Sequence, residues 1–261
     1  MTFRQHLVML KEYLKMSLAT AMEYRFNFML EIGSMILNDM MWVSFWWIFF
    51  NKFPVVNEWV FNDIIIMYAI VNLSWGLNGV IFGNRNQLAK IIAEGRLDFY
   101  LNLPKNELFH VIIGKSSWFS MGDIIFGLIM AFISLELVHW PLFLLLTFFS
   151  MILFLSFNII AGSLSFFIGN AEESSHQLNM TMIAFSSYPL PIFNDVAKLI
   201  LLTIIPAGFI ASIPIQLLKS FDWTWFLLLI LASIVFLVLA IVIFRIGVRR
   251  YESGSMITLR G

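Results

Sequence analysis

The sequence predicts an all-α polytopic membrane protein, and three observations support that fold class. Of its 261 residues, 60% are hydrophobic and only 12% are charged, whereas soluble domains carry about 25% charged residues. The mean hydropathy is +0.87. Several apolar runs reach the roughly 20 residues that a helix needs to cross a bilayer. Because unpaired backbone polar groups are costly in lipid, those runs are predicted to be helices.

Net charge and cysteine content exclude several classes of chemistry. There are 16 Lys and Arg and 16 Asp and Glu, so the net charge indicates neither a nucleic-acid partner nor an acidic one. Cysteine is absent, which excludes disulfides, thiol catalysis and thiolate metal ligands. Basic residues near the start are spread through polar sequence, so we expect no cleaved signal peptide.

Residues 1–25 are predicted to form an amphipathic helix along the cytosolic membrane interface. Its apolar residues recur every three or four positions, and its charged residues occupy the other side. The apolar set is Phe3, Leu7, Leu10, Leu14, Leu18 and Met22, and the charged set is Arg4, Lys11, Glu12 and Lys15. Two roles are open for this helix: it anchors the first span, or it helps to hold a partner.

The first predicted span, 26–50, contains three polar residues, Glu31, Asn38 and Asp39. At about 100° per residue they share one side of a helix, and carboxylates at membrane depth usually face protein or water. They are therefore predicted to point inward, towards a pathway. An alternative places Glu31 in the headgroup region near Arg25 and leaves only Asp39 deep in the membrane.

Five further spans are predicted from the remaining apolar runs. They are 62–83, 112–136, 141–169, 176–193 and 222–246, with a cytosolic loop at 84–109 and a cytosolic tail at 247–261. The third span contains Asp123 and joins the fourth through a very short turn, which predicts an antiparallel hairpin. Asp123 either lines a path or pairs with another buried group.

The positive-inside rule sets the predicted orientation. With both termini and the 84–115 segment in the cytosol, all but three of the 16 basic residues lie inside. The three outside are Lys52, Lys198 and Lys219. Two cytosolic termini require an even number of spans, yet there are seven apolar runs. The run at 195–219, which Pro206 and Pro214 interrupt, is therefore predicted to be a re-entrant hairpin on the outer side. If the first span were instead the run that does not cross the membrane, the five basic residues of the 84–115 segment would lie outside, which the positive-inside rule disfavours.

Small residues form stripes of matching spacing on the second and fourth spans. The second-span stripe is Asn72, Gly76, Gly79 and Gly83, and the fourth-span stripe is Asn158, Gly162, Ser165 and Gly169. Such stripes let helices approach closely, so they are predicted packing positions. It stays open whether the match is coincidental, and whether the second-span stripe meets the fourth span or a second subunit.

The polar segment at 84–104, which we call the handle, separates two long apolar runs. Asn84 is predicted to cap a short helix, and Gly95 is predicted to end it in the left-handed conformation. The apolar face of that helix is Leu88, Ile91 and Ile92. We interpret the handle as a cytosolic feature that a soluble partner can hold and move.

The sequence carries no Walker phosphate loop, HExxH or GxSxG motif, so it does not predict hydrolysis by those routes. One cluster, Glu172, Glu173 and His176, places a Glu and a His on one helical face where a metal could bind. It lacks a third neighbouring ligand, and solvated charges are the ordinary explanation. We predict no catalytic residue and no metal site.

Four motifs stand out along the chain. They are Glu94-Gly95-Arg96-Leu97-Asp98 followed by Leu101 and Pro104, then Tyr188-Pro189, Ile205-Pro206, and Arg249-Arg250-Tyr251-Glu252-Ser253-Gly254. Together they resemble the permease subunits of type-2 ATP-binding-cassette (ABC) exporters, in particular the short six-span branch that usually occurs as a permease pair with a separate ATPase. The resemblance covers nearly the whole chain. It implies an amphipathic N-terminal helix, a coupling helix in the first cytosolic loop, and outer re-entrant helices between spans five and six.

The resemblance also implies roles for particular residues. The ATPase-coupling residues would be Asn84, Arg85, Leu88, Ile91, Ile92, Glu94, Gly95, Arg96, Leu97 and Asp98. The candidates for the translocation pathway are Asn38, Asp39, Trp42, Asn72, Trp75, Asn78 and Tyr188. The helix-packing positions remain Gly76, Gly79, Gly83, Gly162, Ser165 and Gly169.

The implied function is a permease subunit that moves an amphipathic substrate outward, whether lipid-like, peptide or drug-like. The chain would bind no cofactor and would not be an enzyme, because ATP and Mg would bind to a separate ABC ATPase present in two copies. The other implied partners are a second permease, related or identical, and the lipid of a bacterial cell membrane, but no nucleic acid. Two hypotheses compete: a membrane-embedded hydrolase using the Glu172 cluster, and a non-transporting sensor or immunity protein on the same fold.

Overall fold

The computed structural model describes residues 3–103 and 106–251. Within those ranges every regular element is a helix, apart from one isolated bridge between Val56 and Trp59. Pro104, Lys105 and 252–261 lie outside the described residues, and with them most of the predicted tail.

Thirteen α-helices occur in the described part of the chain. They are α1 (Phe3–Glu23), α2 (Arg25–Lys52), α3 (Phe61–Ile81), α4 (Leu88–Ala93), α5 (Leu97–Leu101), α6 (Glu107–Ile113), α7 (Met121–Ser134), α8 (Trp140–Ser163), α9 (Ser165–Ile168), α10 (Glu172–Ser186), α11 (Asp195–Thr203), α12 (Ile213–Lys219) and α13 (Trp223–Arg250). Short 3₁₀ turns at Gly83–Gln87, Trp118–Ser120, Leu137–His139 and Leu190–Ile192, and a π-helix at Gly208–Ser212, complete the set.

Among the described residues, three helical segments are long and apolar enough to cross a membrane: Phe61–Ile81, Leu137–Ile168 and Trp223–Arg250. In the most apolar stretch of α3, 78% of residues are buried within the protein, against 22% in α13. Helix α3 therefore lies at the centre of the bundle. Helix α13 lies at the periphery, where its apolar side chains are suited to lipid.

Two further segments are helix pairs bent at a short break. Glu107–Ile113 meets Trp118–Ser134 at 70°, and Asp195–Thr203 meets Gly208–Lys219 at 81°. Counting each pair as one span gives up to five spans of sufficient length and apolar character. The second pair carries Pro206 in its break, where proline disfavours continuous helix. The pair coincides with the segment predicted to be re-entrant, a topology that stays a prediction.

The other two predicted spans differ from the apolar helices. Helix α2 is 28 residues long, but because of its polar residues it is not among the helices that are apolar enough to cross a membrane. Helix α10 has 15 residues, or about 22 Å, which is shorter than the roughly 30 Å hydrocarbon layer. The six-span count therefore stays a prediction.

The main apolar core surrounds α3. Buried side chains of α2, α7, α8 and the π-helix region pack around Ile64, Met67 and Ile70, which are fully buried. At one end of this core, Lys219 Nζ lies 2.8 Å from Asp63 Oδ2 and links α12 to the start of α3. A second cluster lies under the handle, as described below.

Candidate functional site

The handle begins as a 3₁₀ turn at Gly83–Gln87 and continues as α4, rather than as one α-helix from Asn84. The prediction that Asn84 caps a helix is wrong. Its Nδ2 instead donates to the carbonyl oxygen of Val111 at 2.7 Å, which ties the handle to α6. Gly95 adopts a φ of +74° after α4, so its predicted left-handed conformation is confirmed.

The apolar face of the handle is buried against its own chain. Leu88 and Leu97 are fully buried. The buried members of this cluster are Leu88, Ile91, Ile92, Leu97, Val111, Ile112, Ile113, Leu155, Ile159, Ala240 and Phe244. It joins α4 to α6, α8 and α13. Leu88, Ile91, Ile92 and Leu97 therefore connect the handle to the spans and are not available to an outside partner.

The outer surface of the handle is polar, apart from Ala93 and from Phe99, whose residue surface is 66% exposed. The exposed residues are Asn86, Gln87, Ala93, Glu94, Arg96, Phe99 and Asn102. Arg96 Nε lies 2.6 Å from Glu94 Oε2. Of the predicted coupling residues, Glu94 and Arg96 are thus the exposed ones.

An ion pair links the handle to the second polar loop. Lys90 Nζ lies 3.3 Å from Glu172 Oε1, at the start of α10, and 4.0 Å from Glu94 Oε1. Both side chains of the first pair are partly exposed. Helices α4 and α10 are thereby joined at the surface.

Arg85 is the largest fully buried side chain among the described residues. Its Nε donates to Asn158 Oδ1 at 2.5 Å, and Asn158 Nδ2 donates to Asn179 Oδ1 at 2.7 Å. Its guanidinium also lies over the Trp75 ring, 4.5 Å from the centroid, in cation–π geometry. A polar chain thus runs from the handle through α8 to α10. Arg85 points into the protein rather than towards a partner.

Sequence reasoning missed Asn179 altogether and assigned Asn158 only to a packing stripe. Both are buried amides, Asn158 on α8 and Asn179 on α10, and a buried amide requires hydrogen-bond partners. Asparagines within apolar runs were therefore the signal that pointed to this network. The partner, Arg85, is 73 residues from Asn158, and no local pattern connects them.

The pathway candidates on α2 lie on different sides of the helix. Asp39 is 7% exposed, whereas Asn38 and Glu31 are exposed and Trp42 is 46% exposed. The prediction that Glu31, Asn38 and Asp39 all point inward is therefore wrong. Only Asp39 points inward, and one of its carboxylate oxygens has no hydrogen-bond partner in the described part of the chain.

Of the pathway candidates on α3, Asn72 and Asn78 are buried and Trp75 is half-buried. Asn78 Nδ2 donates to the Met151 carbonyl oxygen at 2.8 Å, which attaches α3 to α8. The Trp75 ring packs edge-on against Phe154 at 5.4 Å. Asn72 differs, because its buried Nδ2 lacks a partner among the described residues.

Tyr188 contributes to an aromatic cleft of about 310 Å³. Its ring lies 5.7 Å from that of Trp46, which in turn donates to Tyr68 Oη at 3.2 Å. Phe45, Phe49 and Trp59 also line the cleft. The cleft lies between α2 and the segment before α11.

The packing stripe of α3 meets α7 and the turn before it, within the same chain. A Cβ on Gly76 would lie 2.7 Å from Ile124 Cγ1 and 2.9 Å from the Ser120 carbonyl oxygen. Gly79 and Gly83 likewise leave room only for Ser120 and Ser117. The partner of this stripe is therefore the third predicted span, rather than the fourth.

The fourth-span stripe packs differently. A Cβ on Gly162 would lie 2.8 Å from Leu88 Cβ of the handle, and Ser165 Oγ accepts a hydrogen bond from the Ala171 amide at 3.2 Å. Gly169 has a φ of +76° and no atom within 4 Å of a Cβ position. Its backbone conformation, and not a close helix contact, requires glycine there. The two stripes are not equivalent packing faces.

Comparison with known families decides what kind of membrane protein carries this handle. Residues 36–255 match the family described as ABC-2 family transporter protein. The chain belongs to the ABC-2 transporter family. No curated protein and no solved structure matches it. The recognition of an ABC-2 type permease is confirmed, and with it the assignment to multi-pass membrane transport proteins.

In the structure, two of the sequence motifs of this ABC-2 permease pack together. Tyr251, just after α13, belongs to the apolar cluster under the handle and lies 6.0 Å from the Phe166 ring. Burial, together with the nearby Asp98 carboxylate, raises the pKa of Tyr251 to about 12. The end of α13 thus packs against the segment that contains Glu94 to Asp98.

The side chains of Glu172, Glu173 and His176, on which the hydrolase alternative depends, do not form a common site in this ABC-2 permease. Glu172 binds Lys90, while Glu173 and His176 are exposed. Among the described residues, no group of three His, Cys, Asp or Glu could hold a metal ion. The arrangement of these side chains does not favour a hydrolase site over ordinary solvated charges at the surface.

Proposed function

We propose that this permease subunit of an ABC exporter moves an amphipathic substrate outward and is powered by a separate ATPase that docks on the handle. Membership of the ABC-2 family supports transport and implies an ATPase partner. One observation carries the docking site: the handle is polar and exposed on its outer side, while its inner side is buried against α8 and α13. Such an element can pass a push from outside to the spans.

Movement of the handle can reach the membrane-spanning helices through two sets of contacts. Leu88 abuts Gly162 on α8, so displacement of α4 displaces α8. Arg85, Asn158 and Asn179 extend the connection to α10. Because packed cores respond by discrete repacking, a small shift at the handle can reorient whole helices.

The orientation and assembly are part of the proposal. We place both termini and the handle in the cytosol on the basis of the positive-inside rule. A bacterial cell membrane is the location that the family resemblance implies. Two ATPase copies bind ATP and Mg, and a second permease completes the path. Exposed apolar residues of α2, including Trp42, Phe45 and Ile48, provide a surface for that permease or for lipid.

The test uses proteoliposomes that contain the permease complex purified from its native membrane. Arg96→Glu reverses a charge on the outer side of the handle and should separate ATP hydrolysis from substrate accumulation. Lys198→Glu, at the predicted outer side, is the matched control and should leave both unchanged. Recovery of the chain without any ATPase, or equal activity of the two variants, would refute the proposal.

The hydrolase alternative is tested in the same vesicles. Glu172 also binds Lys90, so a change there affects the handle as well. Glu173→Gln and His176→Ala avoid this problem because both side chains are exposed. We expect ATP-driven transport to survive both changes. A non-transporting sensor would instead bind substrate without ATP-dependent accumulation.

A further inference from the structure

A cleft of about 340 Å³ opens where α1, the start of α2 and the break between α6 and α7 meet. Its volume is within the range of small-molecule sites. Ser17 of α1 donates to the Ser116 carbonyl oxygen at 3.2 Å and closes one wall. The transport mechanism proposed above does not use this cleft.

The cleft carries one unmatched positive charge and one unmatched negative charge. Lys115 and Glu31 both line it and both are exposed. Neither forms an ion pair with a described residue. Two opposite charges held apart on different walls are complementary to a ligand that carries both signs.

Each charge is accompanied by a polar group of suitable type. Ser116 lines the cleft beside Lys115, is 5% exposed, and its hydroxyl has no hydrogen-bond partner in the described part of the chain. On the other wall, Asn27 Nδ2 donates to Glu31 Oε1 at 2.8 Å, which leaves the Asn27 carbonyl oxygen free to accept. One end of the cleft therefore suits a phosphate, and the other suits a primary ammonium.

Aromatic side chains also line the cleft, among them Tyr24 and Phe28 at the start of α2 and Trp118 on the opposite wall. Tyr24 is 68% exposed, so this part of the lining is open to the outside. In an ABC-2 membrane protein such side chains contact lipid. A ligand with an apolar tail can therefore place its charged head in the cleft and its tail along α2.

We propose that this cleft binds the phosphoethanolamine headgroup of a zwitterionic phospholipid from the leaflet in which α1 lies. The phosphate contacts Lys115 and Ser116, and the ammonium contacts Glu31 and Asn27. A choline headgroup cannot donate hydrogen bonds to the Glu31 carboxylate, and a glycerol headgroup leaves that carboxylate without a cation. The site therefore prefers ethanolamine lipid over both.

The test measures lipid binding without ATP or ATPase, so its result is independent of the transport proposal. The full chain is placed in phosphatidylcholine nanodiscs with a trace of diazirine-labelled phosphatidylethanolamine. Crosslinks at the cleft are quantified by mass spectrometry. Equally labelled phosphatidylcholine and phosphatidylglycerol serve as comparison lipids. We expect the ethanolamine lipid to give the highest yield at the cleft.

Two variants and a control assign the effect to the cleft charges. Lys115→Gln and Glu31→Gln should each lower the yield by about threefold, because exposed ion pairs are worth little each. Lys198→Gln removes a lysine far along the chain and should not change it. Lys115 and Glu31 are exposed, so their variants should retain the fold.

Three results would overturn the proposal. Equal yields for ethanolamine and choline lipids would show that the ammonium is not recognised. A higher yield for phosphatidylglycerol would show an anion site alone. Free phosphoethanolamine that competes as well as the lipid would identify a soluble zwitterion as the ligand.

Discussion

Arg85 Nε donates to Asn158 Oδ1 at 2.5 Å, entirely within the protein. The bond joins the start of the handle to the fourth predicted span. It places a permanent positive charge beneath the segment that the ATPase is proposed to move. The aromatic face of Trp75 and the amide of Asn158 both stabilise the Arg85 guanidinium. They are needed because a buried charge without partners is costly.

We predict strong energetic coupling between Arg85 and Asn158. Arg85→Gln and Asn158→Leu should each destabilise the protein, and the double variant should lose less than the sum, with an interaction energy of about 0.5–3 kcal/mol. Thermal unfolding in detergent measures the three variants. Arg96→Gln with Asn158→Leu is the control and should be additive within about 0.5 kcal/mol. Additivity for the Arg85 pair as well would contradict the network.

Substitution of Gly76 by leucine is predicted to separate α3 from α7. The added side chain would overlap Ile124 and the Ser120 carbonyl, and overpacking of this kind costs about 1–3 kcal/mol. Gly79→Leu should act in the same way. Gly33→Leu on α2 is the matched control, because no atom lies within 4 Å of its Cβ position. The yield of folded protein in detergent distinguishes them, and equal yields would count against the close contact.

Local patterns in the sequence account for much of the handle. Glycine with a left-handed backbone followed α4 as expected, because a helix end of that kind depends on a few neighbouring residues. The apolar face of Leu88, Ile91 and Ile92 was also evident from its spacing. The partner of that face was not, since its burial depends on α8 and α13 far along the chain.

Long-range contacts explain where sequence reasoning failed. The third predicted span was taken as one helix over 112–136, but the chain bends by 70° between α6 and α7. The Ser117 amide donates to the Gly79 carbonyl oxygen at 2.9 Å. This hydrogen bond to the end of α3 stabilises the break between α6 and α7. Asn84 was assigned to a helix cap for a similar reason, because its true acceptor, Val111, lies beyond any local pattern.

Reversal of the ion pair between Lys90 and Glu172 should test the surface link from the handle to α10. Lys90→Glu alone is predicted to reduce transport per ATP hydrolysed, and Lys90→Glu with Glu172→Lys should restore it. Both side chains are partly exposed, so the pair is worth about 0.2–1 kcal/mol. The expected loss is therefore up to about fivefold. No rescue in the double variant would mean that the pair does not participate.

Asp39 is predicted to serve transport rather than folding. Its carboxylate is buried on α2, with one oxygen lacking a hydrogen-bond partner among the described residues. Removal of such a group relieves a burial cost. Asp39→Leu should therefore leave the yield of folded protein nearly unchanged while altering substrate accumulation in vesicles. A marked fall in folded protein would instead make Asp39 a structural partner of another helix.

The start of α13 is predicted to loosen in acid because of Asp222. Its Oδ1 accepts from the Thr224 amide at 2.6 Å and from the Trp225 amide at 3.2 Å. Hydrogen bonds from the Trp225 and Thr224 amides lower the pKa of this carboxyl below its usual value, which is about 3.9. The contribution to stability is therefore fully present above the usual pKa and is lost as the pH falls through the lowered one.

Hydrogen exchange at the Thr224 and Trp225 amides measures this effect directly. In the native chain, protection of these amides should fall as the pH drops below the usual carboxyl pKa of about 3.9. Asp222→Asn keeps an oxygen acceptor that does not titrate, so its protection should stay constant over the same fall in pH. Asp222→Ala should lose protection at every pH. Constant protection in the native chain would mean that the charge of Asp222 does not hold the first turn of α13.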